Sequence, residues 1–94
     1  MYSILAMVCV LYSNGVEHCD VRTKRDYAET MDDCNSRGQT GVDKLSLNAV
    51  VEPDVVRVTQ STLECTAPDV LANRLEVLPM YMEATGKSYV LTEY

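Results

Sequence analysis

Four cysteines and one histidine are the residues of this 94-residue chain with the widest chemical scope. Cys9, Cys19, Cys34 and Cys65 could ligate zinc, act as nucleophiles, pair as disulfides or simply pack. Zinc sites use close pairs such as C-x-x-C, whereas every cysteine here stands at least ten positions from the next. His18, beside Cys19, would point to the opposite face of a strand. Cys34 falls on the apolar stripe of an expected helix, and a buried thiol is inert. No metal site and no cofactor is expected. The remaining uses are packing or disulfides, and four cysteines allow three connectivities.

Other arrangements that carry chemistry fail on spacing. Gly86-Lys87-Ser88 has the closing letters of a phosphate-binding loop, but Tyr81 occupies the place of its first glycine. A hairpin turn is the expected reading there. With a single histidine and no recognisable Ser, Cys or paired-carboxylate set, the chain reads as non-enzymatic. Arg22, Lys24 and Arg25 form a short basic cluster. In a chain of net charge −6 that is a solvated corner, and direct nucleic-acid binding is not expected.

The elements that would position these residues begin with SILAMVCVLY (3–12), which carries no charge. Ser13-Asn14-Gly15 interrupts it and VEHCDVRT (16–23) follows, the form of a β-hairpin. A three-residue loop would set Tyr12 against Val16 and Cys9 against Cys19. A two-residue Asn14-Gly15 loop would set Cys19 against Val10 and leave Cys34 as the better partner for one of the pair. A one-residue slip exchanges the faces of the sheet, so only the first register joins the two arms. As a helix the opening run would reach about 18 Å, short of the ~30 Å hydrocarbon core. No Lys or Arg precedes Arg22 and no small-x-small cleavage site stands out, so export is not expected. Reduced thiols in a cytoplasm are then favoured over disulfides, with a periplasmic or secreted setting as the alternative.

Beyond the hairpin, residues 26–37 read as a helix capped by Thr23 or Asp26, with Tyr27, Met31 and Cys34 inward and Gly38 as its stop. Asp26, Glu29 and Asp33 would share its outer face, with Asp33 and Arg37 a possible ion pair. Gln39-Thr40-Gly41 reads as a loop, and 45–51 and 55–65 as strands about a turn at Pro53-Asp54. In the second strand, Val56, Val58, Leu63 and Cys65 are candidate core residues. A second helix is expected from Thr66 as cap and Pro68 in the first turn, with Leu71, Leu75 and Leu78 inward, Val70 and Val77 widening the stripe, and Pro79 as stop. The tail (80–94) reads as a hairpin about Thr85-Gly86-Lys87. The expectation is one α+β domain (1–94): an antiparallel sheet of five to six strands with two helices, in the order β-β-α-β-β-α-β-β. The chain has no Phe or Trp, so Val, Leu, Met and Tyr must build the core.

Met80, Tyr81, Met82, Tyr89 and Tyr94 gather near the end of the chain, and Met and Tyr are enriched at interfaces. Tyr81, Met82, Tyr89 and Tyr94, with Asp26, Glu29 and Asp33, are therefore candidate partner-binding residues. The competing expectation is that the Met and Tyr residues complete the core.

The order of Val8-Cys9 in an apolar strand, a turn with a second Cys, and a Cys-bearing helix (DYAETMDDC) resembles small proteins encoded by bacteriophages and prophages. The resemblance covers about the first 40 residues. It implies a source in a phage or mobile element and transfers no residue roles. Phage accessory proteins of this size and acidity commonly bind and block a host protein. The resemblance thus implies an inhibitor in the host cytoplasm, monomeric or homodimeric, directed at a CRISPR complex, a nuclease or RNA polymerase. A disulfide-bonded exported module and a small-ligand binder are the alternatives.

Overall fold

A computed structural model describes residues 1–94. Its elements run β1 (Tyr2–Tyr12), β2 (Glu17–Ala28), α1 (Met31–Val50), β3 (Val55–Thr66), α2 (Pro68–Thr85) and β4 (Ser88–Glu93). One mixed sheet holds all four strands in the order β3-β1-β2-β4. The α+β class is as expected. The strand count is four, not five or six, and the sheet is not wholly antiparallel.

The opening hairpin forms in the three-residue register. Tyr12 N–H donates to the Val16 carbonyl at 2.8 Å, Leu11 faces Glu17 and Cys9 faces Cys19. Asn14 Oδ1 accepts from Val16 N–H at 3.0 Å, and Gly15 takes the positive φ (86°) that the turn requires. The uncharged run becomes the central strand β1, covered on both faces. β4 pairs with the outer side of β2 and makes it an inner strand as well.

The first helix starts later and runs much further than its caps and glycines suggest. Residues up to Ala28 stay in the sheet, where the pairing slips between Tyr2 and Ile4. Asp26 there takes φ 52°, and its N–H donates to Ser3 Oγ at 3.3 Å. Thr30 is the true cap, its Oγ1 accepting from Asp33 N–H at 3.1 Å. From there the inward stripe is Cys34, Gly38 and Val42, with Leu45 beyond them, at helical spacing. That stripe carries 39–50 as helix, where a loop and a strand were expected. Gly38 does not stop it: a Cβ there would come 2.5 Å from Ile4 Cδ1 and 2.8 Å from Leu63 Cδ1. The glycine lets the helix lie close on the sheet.

β3 runs antiparallel to β1 and β4 parallel to β2, so both α1 and α2 sit in crossovers between parallel strands. The two crossovers traverse the sheet in opposite directions. Right-handed connections then put the helices on opposite faces. On one face Ile4, Ala6 and Val8 pack with Cys34 and Val42 of α1. On the other, Cys9, Cys19 and Val21 pack with Leu78 and Met82 of α2. Of the core candidates in β3, Val58 and Leu63 pack under α1, while Val56 is 61% exposed.

In α2 the stripe Leu71, Leu75 and Leu78 faces inward as expected and continues to Met82. Val77 does not widen it and is exposed. The cap is Ala67, without a side-chain bond, because Thr66 is held in the sheet opposite Ser3. Pro79 lies inside the helix. It withdraws one N–H but does not end the run. Gly86 ends it instead, in the left-handed conformation (φ 70°), with Lys87 N–H donating to the Met82 carbonyl at 3.0 Å. Met80, Tyr81 and Met82 are thus helical, and the expected terminal hairpin is a helix followed by β4.

All four cysteines are paired. Cys9–Cys19 joins directly facing residues on α2's side of the sheet, and Cys34–Cys65 ties α1 to β3 on the other. The expectation of reduced thiols gives way. With Cys19 taken by Cys9, the partner left for Cys34 is Cys65, opposite Ile4 on the same face.

Candidate functional site

α1 covers β1 and β3 and leaves the β2 and β4 half of that face open. The open half is floored by His18, Asp20 and Arg22 of β2 and by Val90 and Thr92 of β4, which the parallel register aligns. Against the flank of α1, at Leu45 and Asn48, it forms a groove of about 460 Å³. A second hollow of about 260 Å³ shares Arg22 and Leu45 and extends to Tyr27 and Tyr94.

Two of the charges in the groove satisfy each other. Arg22 grips Asp20 by two bonds, Nη2 to Oδ2 at 3.1 Å and Nε to Oδ1 at 3.3 Å. That pairing, with a smaller contribution from Tyr94, holds the guanidinium pKa above its ordinary value. Arg22 is therefore engaged by its own strand and is not a free clamp for a carboxylate. His18 Nδ1 lies 2.8 Å from Ser88 Oγ, which also lies 3.5 Å from the Glu17 carbonyl. This contact ties the start of β4 to β2. Seventy positions separate the two residues, so no local signal in the sequence announces it.

A second polar cluster lies on α2's side. Glu17 Oε2 accepts from Thr59 Oγ1 at 2.5 Å and meets Lys87 Nζ at 3.3 Å, while Lys87 also donates to Gln60 at 2.9 Å. The Thr59 hydrogen bond, followed by the bond and charge of Lys87, outweighs burial and lowers the Glu17 pKa. The folded state thus holds this proton less tightly than the unfolded chain. Its contribution to stability is complete above the ordinary glutamate range and is lost as pH falls through the lowered value. Glu17→Gln is expected to flatten the decline of the thermal midpoint from about pH 5 downwards, measured by circular dichroism melts. An unchanged slope would refute this role.

The expected partner-binding residues separate into different settings. Tyr81 is 42% exposed on the outer side of α2, beside Val77 and Met80, which are also exposed. Positions 77, 80 and 81 have the i, i+3, i+4 spacing of one helix face. Lys87 Nζ stands 5.9 Å from the centre of the Tyr81 ring. Met82 is 1% exposed and belongs to the core, where it cannot meet a partner. Tyr89 is half-buried against that same core. Tyr94 is exposed at the mouth of the second hollow, its N–H tied to the Thr23 carbonyl. Asp26, Glu29 and Asp33 do not share a helix face: Asp26 is in β2, Glu29 in the turn and Asp33 in the first turn of α1. The Asp33–Arg37 pair does form, at 3.2 Å, and Arg37 also lies over the Tyr27 ring at 4.4 Å. Leu47, Val50 and Val51 form a further exposed apolar group at the end of α1. Its expectation as strand hid it.

Compared with protein families, curated proteins and solved structures, the chain gives no match in any of the three. No helix is long and apolar enough to cross a membrane.

Proposed function

We propose that this chain is a non-catalytic binding protein that acts by occupying a surface of another protein. In its specific form it is a phage-encoded inhibitor of a host complex. The observation that supports this reading is the exposed Val77, Met80 and Tyr81 face of α2. A contiguous apolar face rimmed by charge is a feature of protein-binding surfaces, and Met and Tyr are favoured there. The test is capture from bacterial lysate on the immobilised chain, beside a Met80→Asp/Tyr81→Asp variant. A stoichiometric partner that the variant fails to retain is expected. Recovery of no stoichiometric partner, or equal recovery by the variant, overturns the reading.

A second reading, an exported disulfide-bonded module, draws on the pairing of all four cysteines. Disulfides persist in oxidising compartments and are rare in the cytosol. Thiol titration of the denatured protein from its own cell, trapped at lysis, separates the two. Absence of free thiols supports export and four free thiols support the cytosol.

A further inference from the structure

The sheet has two outer strands, and they differ in how they treat a neighbour. The pairing of β3 with β1 slips twice, between Cys9 and Val10 and between Leu11 and Tyr12. Such irregularities twist an edge away from new pairing, and Arg57 adds a charge beside them. β4 has no such slip, and its one charge, Glu93, stands at its very end. Its register with β2 runs unbroken from His18–Ser88 to Thr23–Glu93, and SYVLTE contains no proline, glycine or lysine.

The free backbone groups of β4 can be assigned. Tyr94 N–H donates inward to the Thr23 carbonyl at 3.0 Å. Alternate residues of a strand turn their N–H and C=O to opposite sides. Thr92, Val90 and Ser88 therefore bond to β2, while Tyr89, Leu91 and Glu93 present their groups outward.

We propose that the outer edge of β4 is a docking edge for a second copy of this chain, paired antiparallel about a two-fold axis at Val90. The two sheets then join into one of eight strands. In this register Val90 faces Val90 of the second copy and Ser88 faces Thr92. Tyr89 faces Leu91, and these two exchange backbone hydrogen bonds on either side of the axis. Glu93 faces Lys87, so opposite charges meet at both ends. Moving the axis to Leu91 sets Glu93 against Tyr89, and moving it to Tyr89 sets Lys87 against Leu91. Charge complementarity thus selects Val90. Lys87 already serves Glu17 and Gln60, so its pairing with Glu93 fixes register more than it adds affinity. Val90 is 55% exposed and Leu91 37%, which leaves apolar area to cover on both faces of the new pair.

A pair of six-residue strands is a small contact, below the roughly 1,000 Å² expected of a stable specific interface, so a weak dimer is expected, with a Kd of about 10–100 µM. The inference is independent of the partner surface on α2. Sedimentation equilibrium of the full chain is the test, from about 5 µM to about 1 mM, where the mass should rise from 10.5 kDa towards its double. Leu91→Pro removes an outward N–H that the monomer does not use, and should weaken association at least about tenfold while far-UV circular dichroism is unchanged. Should Leu91→Pro disturb the fold, Leu91→Lys places a charge on the same edge and should act alike. Val90→Cys should cross-link between copies about tenfold faster than Thr92→Cys, because only Val90 faces itself. A mass fixed at 10.5 kDa throughout, association indifferent to the Leu91 changes, or equal cross-linking by the two cysteines overturns the proposal. So does an edge that takes only a strand of another protein.

Discussion

Replacing Cys34 and Cys65 together by alanine is expected to lower the unfolding free energy by about 3–4 kcal/mol. The bond links residues 31 positions apart, and opening a loop of that length restores much conformational freedom to the unfolded chain. Removing Cys9–Cys19, which spans ten positions, should cost about 1 kcal/mol less by the same reasoning. A domain of this size has only about 5–10 kcal/mol in total, so the first change removes a large fraction of it. Urea unfolding of the two double variants beside the parent measures both. A loss below about 1 kcal/mol for Cys34→Ala/Cys65→Ala would mean that α1 is held on β3 by packing alone.

Two adjacent residues of α2 should behave oppositely. Met82 is 1% exposed among Cys9, Cys19, Val21 and Leu78, and Met82→Ala is expected to cost about 2–5 kcal/mol. Tyr81, one position earlier, points outward, and Tyr81→Ala should change stability by about 0.5 kcal/mol or less. The same Tyr81→Ala should abolish capture of the partner, while a properly folded Met82 replacement of similar volume should retain it. Chemical denaturation read beside the capture assay checks both. A large stability loss at Tyr81 would place it in the core and remove the surface proposed above.

How far the sequence foretells these roles depends on whether the signal is local. The hairpin was legible because Asn14-Gly15 and the uncharged run act within a few residues, but its register hung on a loop of two or three residues and only the pairing of Cys9 with Cys19 decides it. Leu71, Leu75 and Leu78 were legible for the same reason. Glycines and prolines misled where tertiary packing overrode their usual meaning. Gly38 and Gly41 read as breaks, yet Gly38 is the close contact that seats α1 on Ile4 and Leu63. Pro79 read as a stop, yet the stripe continues through it to Met82. The apolar residues of 45–51 alternate like a strand, and only the burial of Cys34, Gly38 and Val42 in one helical row shows otherwise.

The candidate site was less legible than the fold. The Asp20–Arg22 pair lies two positions apart, but nothing local marks β2 as open on that face. His18 meets Ser88 only because β4 returns parallel to β2, a pairing with no turn to announce it. The acidic trio Asp26, Glu29 and Asp33 dispersed because the strand outlasted its expected end at Thr23. Tyr81 and Met82 show the limit most directly. Composition picked out both, and only the path of the helix tells surface from core.

Both disulfides fall among β1, β2, α1 and β3, and neither reaches α2 or β4. The molecule is therefore made of two unequal parts in its resistance to opening. One is closed covalently on both faces of the sheet. The other, α2 with β4, has no covalent tie and is held by side-chain packing, one strand pairing and the His18–Ser88, Lys87–Glu17 and Arg74–Glu64 contacts, so it is expected to open at lower free energy than the first. Both surfaces proposed for contact, the outer side of α2 and the edge of β4, belong to that looser part. Whatever binds there will slow amide exchange in α2 and β4 more than in the stapled strands.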